Sequence, residues 1–360
     1  MTSTKVRATW PRLSRIVFVL VAFVFAGDAL AQRAIPEDNL AYPVLITVKK
    51  DQKTFGMASG FYLTSDGAVY LVTAGHVLKN VLTPDPQTQK LPDVEIDLLS
   101  YSRDQTPKRI VLTLNLAVLR ESGAVKLHAS HDVAVVRIAT ASNRDSRNTN
   151  QFLPGVTAKE SVGGPLFGIA MGAIKTFDQV LVGNDAIVYG YPVSLGFEQF
   201  PQFENDRPLL RKALIAGLNN QKRTIIVDGP SHPGNSGGPV FQIERSGAAN
   251  HFHLIGVVVS HIPFVRSAIN STADVALMVA FNSGYSVVEP MEFVLELINQ
   301  EVATSSTGPR VAVSTMATVS RIAAPAPQTN KTAARPAKNT RKSPTPGKRD
   351  AKLRRREAKL

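Results

Sequence analysis

Cysteine is absent from the 360 residues of the chain. Its absence excludes a disulfide framework, a thiol nucleophile and a metal site built from cysteine. Stability must therefore come from the burial of side chains alone. A body of about 270 residues can supply it, because chains of that length bury most of their surface on folding. The length also leaves room for two core-building units and for tails.

Features that indicate a bound cofactor are also scarce. No glycine-rich motif of the phosphate-binding kind stands out. His251 and His253 could place two imidazoles on one face of a strand, but no third ligand is obvious, so a metal pair is the weaker interpretation. We expect neither a cofactor nor a metal.

Acidic residues are scarce at the end of the chain. Residues 303–360 hold 14 lysine and arginine residues against two acidic ones, whereas 32–302 carries a net charge of about −2. Because this terminal stretch is rich in Pro, Ala, Thr and Ser, it buries too little apolar surface to fold, and we expect it to be disordered. Its basic clusters could contact anionic envelope polymers or lipid headgroups. The lack of aromatic residues argues against specific nucleic-acid binding. A solvated tail without a specific partner is the favoured interpretation.

No apolar run near the start is long enough for a comfortable membrane span. The run Ile16–Gly27 falls short of the roughly 20 residues that a span needs. It follows four basic residues and precedes the small-residue motif Ala29-Leu30-Ala31, which is the pattern of a secretory signal peptide. We therefore expect 1–31 to be a signal peptide cleaved after Ala31, and the protein to be periplasmic or secreted. An uncleaved N-terminal anchor is the alternative.

Long stretches with the periodicity of a helix are absent from the sequence until about residue 290. Short β-like runs broken by turn residues predict paired sandwiches or barrels, with the polar stretch Ala141–Asn150 as the connector between them. Ser65-Asp66-Gly67 has the composition of a hairpin turn. A single helix is predicted to open at Pro290 and to end near Asn299.

Three short motifs carry the chemistry. His76 follows the small residues of Val72–Gly75, Asp132 stands at the head of a β-like run, and Ser236 lies in the turn Pro233–Pro239. Acyl transfer needs a hydroxyl, a base to activate it and a carboxylate to hold that base in one tautomer. The alternatives are a core histidine, a strand-start aspartate with His131 as its rival, and an ordinary β-turn that contains a serine.

These motifs resemble those of the trypsin-like serine peptidases of the chymotrypsin fold. The segments TAGH, HDVAVV and GNSGGPV match the family around its three catalytic residues, and the bacterial glutamyl endopeptidases and HtrA-type proteases also carry asparagine before the serine. The resemblance covers about 41–300. It implies an all-β fold of two six-stranded antiparallel β-barrels, at about 41–140 and 160–288, closed by the C-terminal helix within a protease domain at 32–302. No PDZ-like module is expected.

The resemblance also implies a role for each residue. Ser236 would be the nucleophile, His76 the general base and then acid, and Asp132 the residue that orients the imidazole. The backbone N–H groups of Gly234 and Ser236 would form the oxyanion hole. Asn235 replaces the aspartate that receives a newly cut N-terminus in the digestive enzymes, so activation of that kind is not expected.

The residues of the specificity pocket are less clear from the sequence. Pro230 takes the place of the family's pocket-floor residue, which argues against cleavage after Lys or Arg. Ser231, Ser260 and His261 are predicted to line the pocket and would suit an acidic side chain, as in the glutamyl endopeptidases. A small or apolar preference is equally open.

These observations predict an exported serine endopeptidase that acts on proteins or peptides through an acyl-enzyme. The alternative from another class is a catalytically silent or gated binding protein on a protease scaffold, anchored by its basic tail. The intact set of serine, histidine and aspartate argues against that alternative.

Overall fold

The computed structural model describes residues 41–306, apart from gaps at 51–52, 85–86, 88–93, 104–107, 143–148, 160–165, 193–203, 248 and 271–274. The predicted signal peptide and nearly all of the predicted tail lie outside these residues. Contacts between Cα atoms divide the chain into Met1–Pro309 and Arg310–Leu360, and the described residues all belong to the first unit. No helix among the described residues is long and apolar enough to cross a membrane.

The first half of the chain forms a sheet of ten strands. Their order is β6-β7-β3-β2-β1-β4-β5-β9, and β8 and β10 pair with β7 and β2 respectively. The pairs are antiparallel except β10 with β2. The strands are β1 (Pro43–Lys50), β2 (Lys53–Ser65), β3 (Ala68–Ala74), β4 (Glu95–Tyr101), β5 (Arg109–Leu114), β6 (Val125–Leu127), β7 (Val133–Ser142), β8 (Thr149–Phe152), β9 (Val156–Ala158) and β10 (Ile169–Ala170).

The second half forms a closed antiparallel barrel of six strands. Their order is β11-β12-β13-β16-β15-β14, and β14 pairs back onto β11. The strands are β11 (Asp185–Gly190), β12 (Leu209–Asn219), β13 (Thr224–Asp228), β14 (Pro239–Ser246), β15 (Ala249–Asn270) and β16 (Val275–Pro290). The other described elements are three α-helices, α1 (Gly75–Leu82), α2 (Leu116–Glu121) and α3 (Met291–Ser306), and two short 3-10 helices, Met171–Ala173 and Phe177–Gln179.

Separate apolar cores fill the two halves, and a third joins them. The first sheet curls around one core, whose members come mainly from β1 to β7 and β9 together with α1 and α2. The second barrel encloses its own core. The joining core contains Phe61 and Val133 from the first sheet, Phe241 from the second barrel, and Phe293 and Leu297 from α3. The last helix therefore covers the first sheet although it follows the second barrel in the chain.

The prediction of an all-β, chymotrypsin-like double-barrel fold with a C-terminal helix is confirmed. The second unit is the predicted closed barrel of six strands, whereas the first unit is a curled sheet of ten strands rather than six. The predicted hairpin at Ser65-Asp66-Gly67 is also present, with φ of 47° at Asp66 and 75° at Gly67, which is the geometry of a two-residue hairpin turn.

Three details of the sequence-based organisation need correction. The prediction of a single helix misses α1 and α2, whose 8 and 6 residues are too few to show a helical period in the sequence. The stretch Ala141–Asn150 does not connect the two units, because β8 pairs back onto β7 and β9 extends the first sheet to Ala158. Polar composition could not separate a hairpin from a connector, since both need turn residues. The helix α3 also continues to Ser306, beyond the predicted end at Asn299 and into the segment assigned to the tail.

Candidate active site

The register between two strands brings His76 to Asp132. Ala74 at the end of β3 pairs with Val133 at the start of β7, so Gly75 lies opposite Asp132. His76 is the next residue after Gly75. The His76 ring Nδ1 lies 2.6 Å from Asp132 Oδ2, and the His76 backbone N–H donates to Asp132 Oδ1 at 2.7 Å. A Cβ on Gly75 would lie 3.0 Å from Asp132 Oδ1, which explains the small residue between them.

Asp132 is held as a carboxylate. Burial acts to raise the pKa of Asp132, but the hydrogen bonds and charge of His76, with a smaller contribution from Lys79, lower it overall. An ionised carboxylate at Nδ1 favours the tautomer in which the ring carries its proton there, and that tautomer leaves Nε2 free to accept a proton.

Ser236 lies in the turn that joins β13 to β14. Gly234 and Gly237 flank it with φ of 94° and 92°, a region that L side chains rarely adopt, so the backbone can reverse closely around the serine. In this structure the Ser236 hydroxyl donates a long hydrogen bond of 3.5 Å to the Val259 carbonyl.

His76 and Ser236 line the same cavity. Its volume is about 400 Å³, and its wall also includes Gly234, Pro233 and apolar side chains of β1, β2 and α1. The structure therefore brings the three predicted triad residues to one site, with His76 and Asp132 carried by the first sheet and Ser236 by the second barrel.

Two backbone N–H groups of this turn differ from their neighbours in having no acceptor among the described residues. The N–H groups of Asn235, Gly237 and Gly238 donate to carbonyl oxygens at 2.7–3.0 Å. Among the residues that the structure describes, none accepts a hydrogen bond from the N–H of Gly234 or of Ser236. These are the two groups assigned to the oxyanion hole from the sequence.

The predicted pocket residues lie together beside this turn. Ser231 is buried, and its hydroxyl donates to the Ser260 carbonyl at 3.3 Å, which joins the turn to β15. His261 is the next residue of β15 and is exposed, and Pro230, which precedes Ser231, is partly buried. The pairing between β15 and β16 shifts register between Val258 and Ser260, just before His261.

Sequence reasoning missed two basic groups next to this pocket. Burial lowers the pKa of His232, and the positive charges of Arg211 and His261 lower it further. Arg211 comes from β12, so only the closed barrel brings it near the turn. In the sequence, the only sign of this basic group is that Arg211 lies within a predicted strand.

The buried carboxyl group of Glu289 also contacts the backbone of Asp132. Glu289 Oε2 lies 2.9 Å from His131 Nδ1, and its Oε1 accepts a 3.4 Å bond from the Asp132 backbone N–H. Burial raises the pKa of Glu289, although its bond with His131 acts in the opposite direction. The His131 ring stacks on Phe293 with centroids 3.4 Å apart, so this histidine is a partner of Glu289 and α3 rather than a rival to Asp132.

The histidines considered as a metal pair lie elsewhere. His253 Nε2 is 3.8 Å from Glu244 Oε2, on the outside of the second barrel. In the described part of the chain no group of three His, Asp or Glu side chains is placed to hold a metal ion.

Solved structures similar to this chain include three proteases. Protease Anisep from Arthrobacter nicotinovorans shares 13% identity over 73% of this chain and 96% of its own, with a TM-score of 0.39. The thermostable serine protease AL20 from an extremophilic microorganism shares 13% over 75% and 100%, with a TM-score of 0.41. The serine endoprotease from Yersinia pestis shares 15% over 76% and 69%, with a TM-score of 0.38.

Sequence comparisons give one assignment. No curated protein sequence matches the chain significantly. A model of the trypsin-like peptidase domain matches residues 58–248, which are more than half of the chain and include His76, Asp132 and Ser236. The chain therefore belongs to the trypsin-like peptidase family and is a serine-type peptidase.

Proposed function

We propose that the protein is an exported endopeptidase that cleaves peptide bonds through an acyl-enzyme formed on Ser236. The observation that carries this proposal is the 2.6 Å contact of His76 with Asp132, on the wall of a cavity that also contains Ser236. His76 would accept the hydroxyl proton through Nε2 and later donate it to the leaving amine. Asp132 would hold the ring and stabilise the imidazolium that forms.

The tetrahedral oxyanion would bind to the N–H groups of Gly234 and Ser236. Donors fixed before the reaction need no reorganisation when the charge develops, which makes such sites effective. The bond from Ser236 to the Val259 carbonyl would have to be exchanged for one to His76. Catalytic hydrogen bonds are often long without substrate and tighten once it binds.

The remaining parts of the proposal concern location and partners. A leader at 1–31 cleaved after Ala31 would deliver the enzyme to the periplasm or the medium. The basic residues of 303–360 would hold it near anionic envelope polymers or lipid headgroups by salt-sensitive attraction.

A fluorophosphonate probe and casein cleavage test the mechanism at neutral pH. The full chain should be labelled and should cut casein, whereas Ser236→Ala should lose labelling and at least about 10⁴-fold in rate. Ser65→Ala, a serine of β2 whose hydroxyl bonds to Asp66 at 3.2 Å, serves as the control and should behave like the parent. A folded parent that is neither labelled nor active would instead favour the gated or binding-scaffold alternative.

A further inference from the structure

Ser59 of β2 makes three hydrogen bonds to the second barrel from a fully buried position. Its backbone N–H donates to the Ser236 carbonyl at 2.8 Å. Its hydroxyl donates to the Gly234 carbonyl at 2.7 Å and accepts from the Tyr191 N–H at 2.9 Å. One residue of the first sheet therefore binds the turn on both sides of the serine hydroxyl.

Thr73 connects this contact to the histidine. Its hydroxyl donates to the Ser59 carbonyl at 2.7 Å, and Thr73 is also fully buried. It belongs to β3, which leads directly into α1 and His76. Two hydrogen bonds thus join the strand that carries the base to the turn that carries the hydroxyl.

Gly237 shows how closely the two halves meet at this point. A Cβ on Gly237 would lie 1.9 Å from the Ser59 carbonyl oxygen and 2.2 Å from Thr73 Oγ1. Both separations are far below any real contact, so the turn rests directly on Ser59 and Thr73. A shift of either partner would displace the turn.

We infer that Ser59 is a positioning residue, whose hydroxyl fixes the Gly234 peptide group so that the oxyanion-hole N–H groups and the Ser236 hydroxyl face His76. The Gly234 carbonyl belongs to the peptide group that joins Gly234 to Asn235, and the Ser236 carbonyl to the one that joins Ser236 to Gly237. The peptide group that carries the Ser236 N–H lies between these two. Holding both carbonyls fixes the direction of the Ser236 N–H and Cα–Cβ bond between them. Such sites must be held within about 0.5 Å of the productive geometry. This inference rests on the proposed function and adds a residue that contacts neither the substrate nor the imidazole.

The test compares the full chain with Ser59→Ala, with Ser65→Ala on the same strand as the control. We expect kcat per folded molecule to fall about 10- to 100-fold with KM nearly unchanged, which is less than the roughly 10²–10³-fold cost of deleting an oxyanion-hole donor. The affinity for a peptide boronic acid, whose tetrahedral adduct needs the same N–H groups, should fall by the same factor. A role confined to stability would lower the melting temperature without changing either quantity.

A second variant keeps the test decisive if Ser59→Ala folds poorly. Thr73→Val removes the hydroxyl that binds the Ser59 carbonyl while keeping a side chain of similar shape, and it should lower kcat and boronate affinity together by a smaller factor. An active parent whose variants retain parental kcat and boronate affinity would overturn the inference but leave the acyl-enzyme mechanism intact. A folded parent without activity would overturn both.

Discussion

The carboxylate of Asp132 holds His76 at two atoms, the ring Nδ1 at 2.6 Å and the backbone N–H at 2.7 Å. The contact with Nδ1 fixes the tautomer of the ring, and the bond from the backbone N–H fixes the first turn of α1, which carries His76. The aspartate therefore sets both the chemistry and the position of the base.

Asp132→Asn should lower kcat by about 10⁴-fold, the loss typical when a triad aspartate becomes an amide and the wrong imidazole tautomer is favoured. Steady-state kinetics on a peptide ester would measure it. Asp66→Asn is the matched control, because asparagine tolerates the φ of 47° at that turn position and the residue lies outside the site. A loss below tenfold for Asp132→Asn would show that the aspartate does not act in this way.

Asp132 should also make stability depend on pH. A carboxylate whose pKa is lower in the folded state than its ordinary value of 3.8 stabilises the fold above that pH, and this contribution is lost as the pH falls through the lower value. The stability gap between the parent and Asp132→Asn should thus be widest at neutral pH and narrow below pH 3.8. Denaturant unfolding at several pH values measures the gap.

The contribution of Glu289 to the free energy of unfolding depends on pH in the opposite direction from that of Asp132. Its pKa is raised by burial, so its contribution is present in acid and lost as the pH rises through the raised value. Both proteins contain Glu289, but the charge of Asp132 adds to the raised pKa of Glu289. Asp132→Asn therefore lowers that pKa, and the effect of Glu289 cancels only in part in the difference between the two proteins. A gap that does not change with pH would contradict the assignment of the lowered pKa to Asp132.

The charge of Arg211, which acts on His232 next to Ser231 in the chain, predicts a preference for an acidic residue before the cleaved bond. Arg211→Gln should lower kcat/KM for a Glu-ended peptide about 10- to 100-fold, the value of one charge-assisted hydrogen bond, and leave an Ala-ended peptide unchanged. Arg245→Gln is the control, since it removes the same charge from an arginine that is 75% exposed on β14. Equal cleavage of Ala-, Leu- and Glu-ended peptides by the parent would contradict the preference.

Alanine variants of Gly237 and Gly183 distinguish the cost of backbone strain from the cost of steric overlap. Both have a φ of 92°, but a Cβ on Gly183 would meet nothing within 4 Å, whereas one on Gly237 would meet Ser59 and Thr73. Gly183→Ala should cost about 1–3 kcal/mol of unfolding free energy from strain alone. Gly237→Ala should cost more than about 4 kcal/mol and abolish activity. Similar losses in a denaturant titration would show that the turn can move away from Ser59.

The sequence was most informative where chemistry and backbone shape are local. The motifs around His76, Asp132 and Ser236 need particular residues within a few positions of each other, so each could be recognised alone. Ser59 and Glu289 could not, because their partners Gly234 and Asp132 lie 175 and 157 residues away and a buried serine or glutamate has no local signature. The hairpin formed by β7 and β8 was missed because its turn is as polar as a connector.

The position of α3 constrains the order in which the protein can be built. Phe293 and Leu297 complete a core that already contains Phe61 and Val133, and Arg137 of β7 binds Glu301 at 3.3 Å. A growing chain that has emerged through β10 still lacks the helix that covers its first sheet. Contacts of such long sequence separation form late and slowly. The core that joins the first sheet to the second barrel should therefore be completed only after the last helix has left the ribosome.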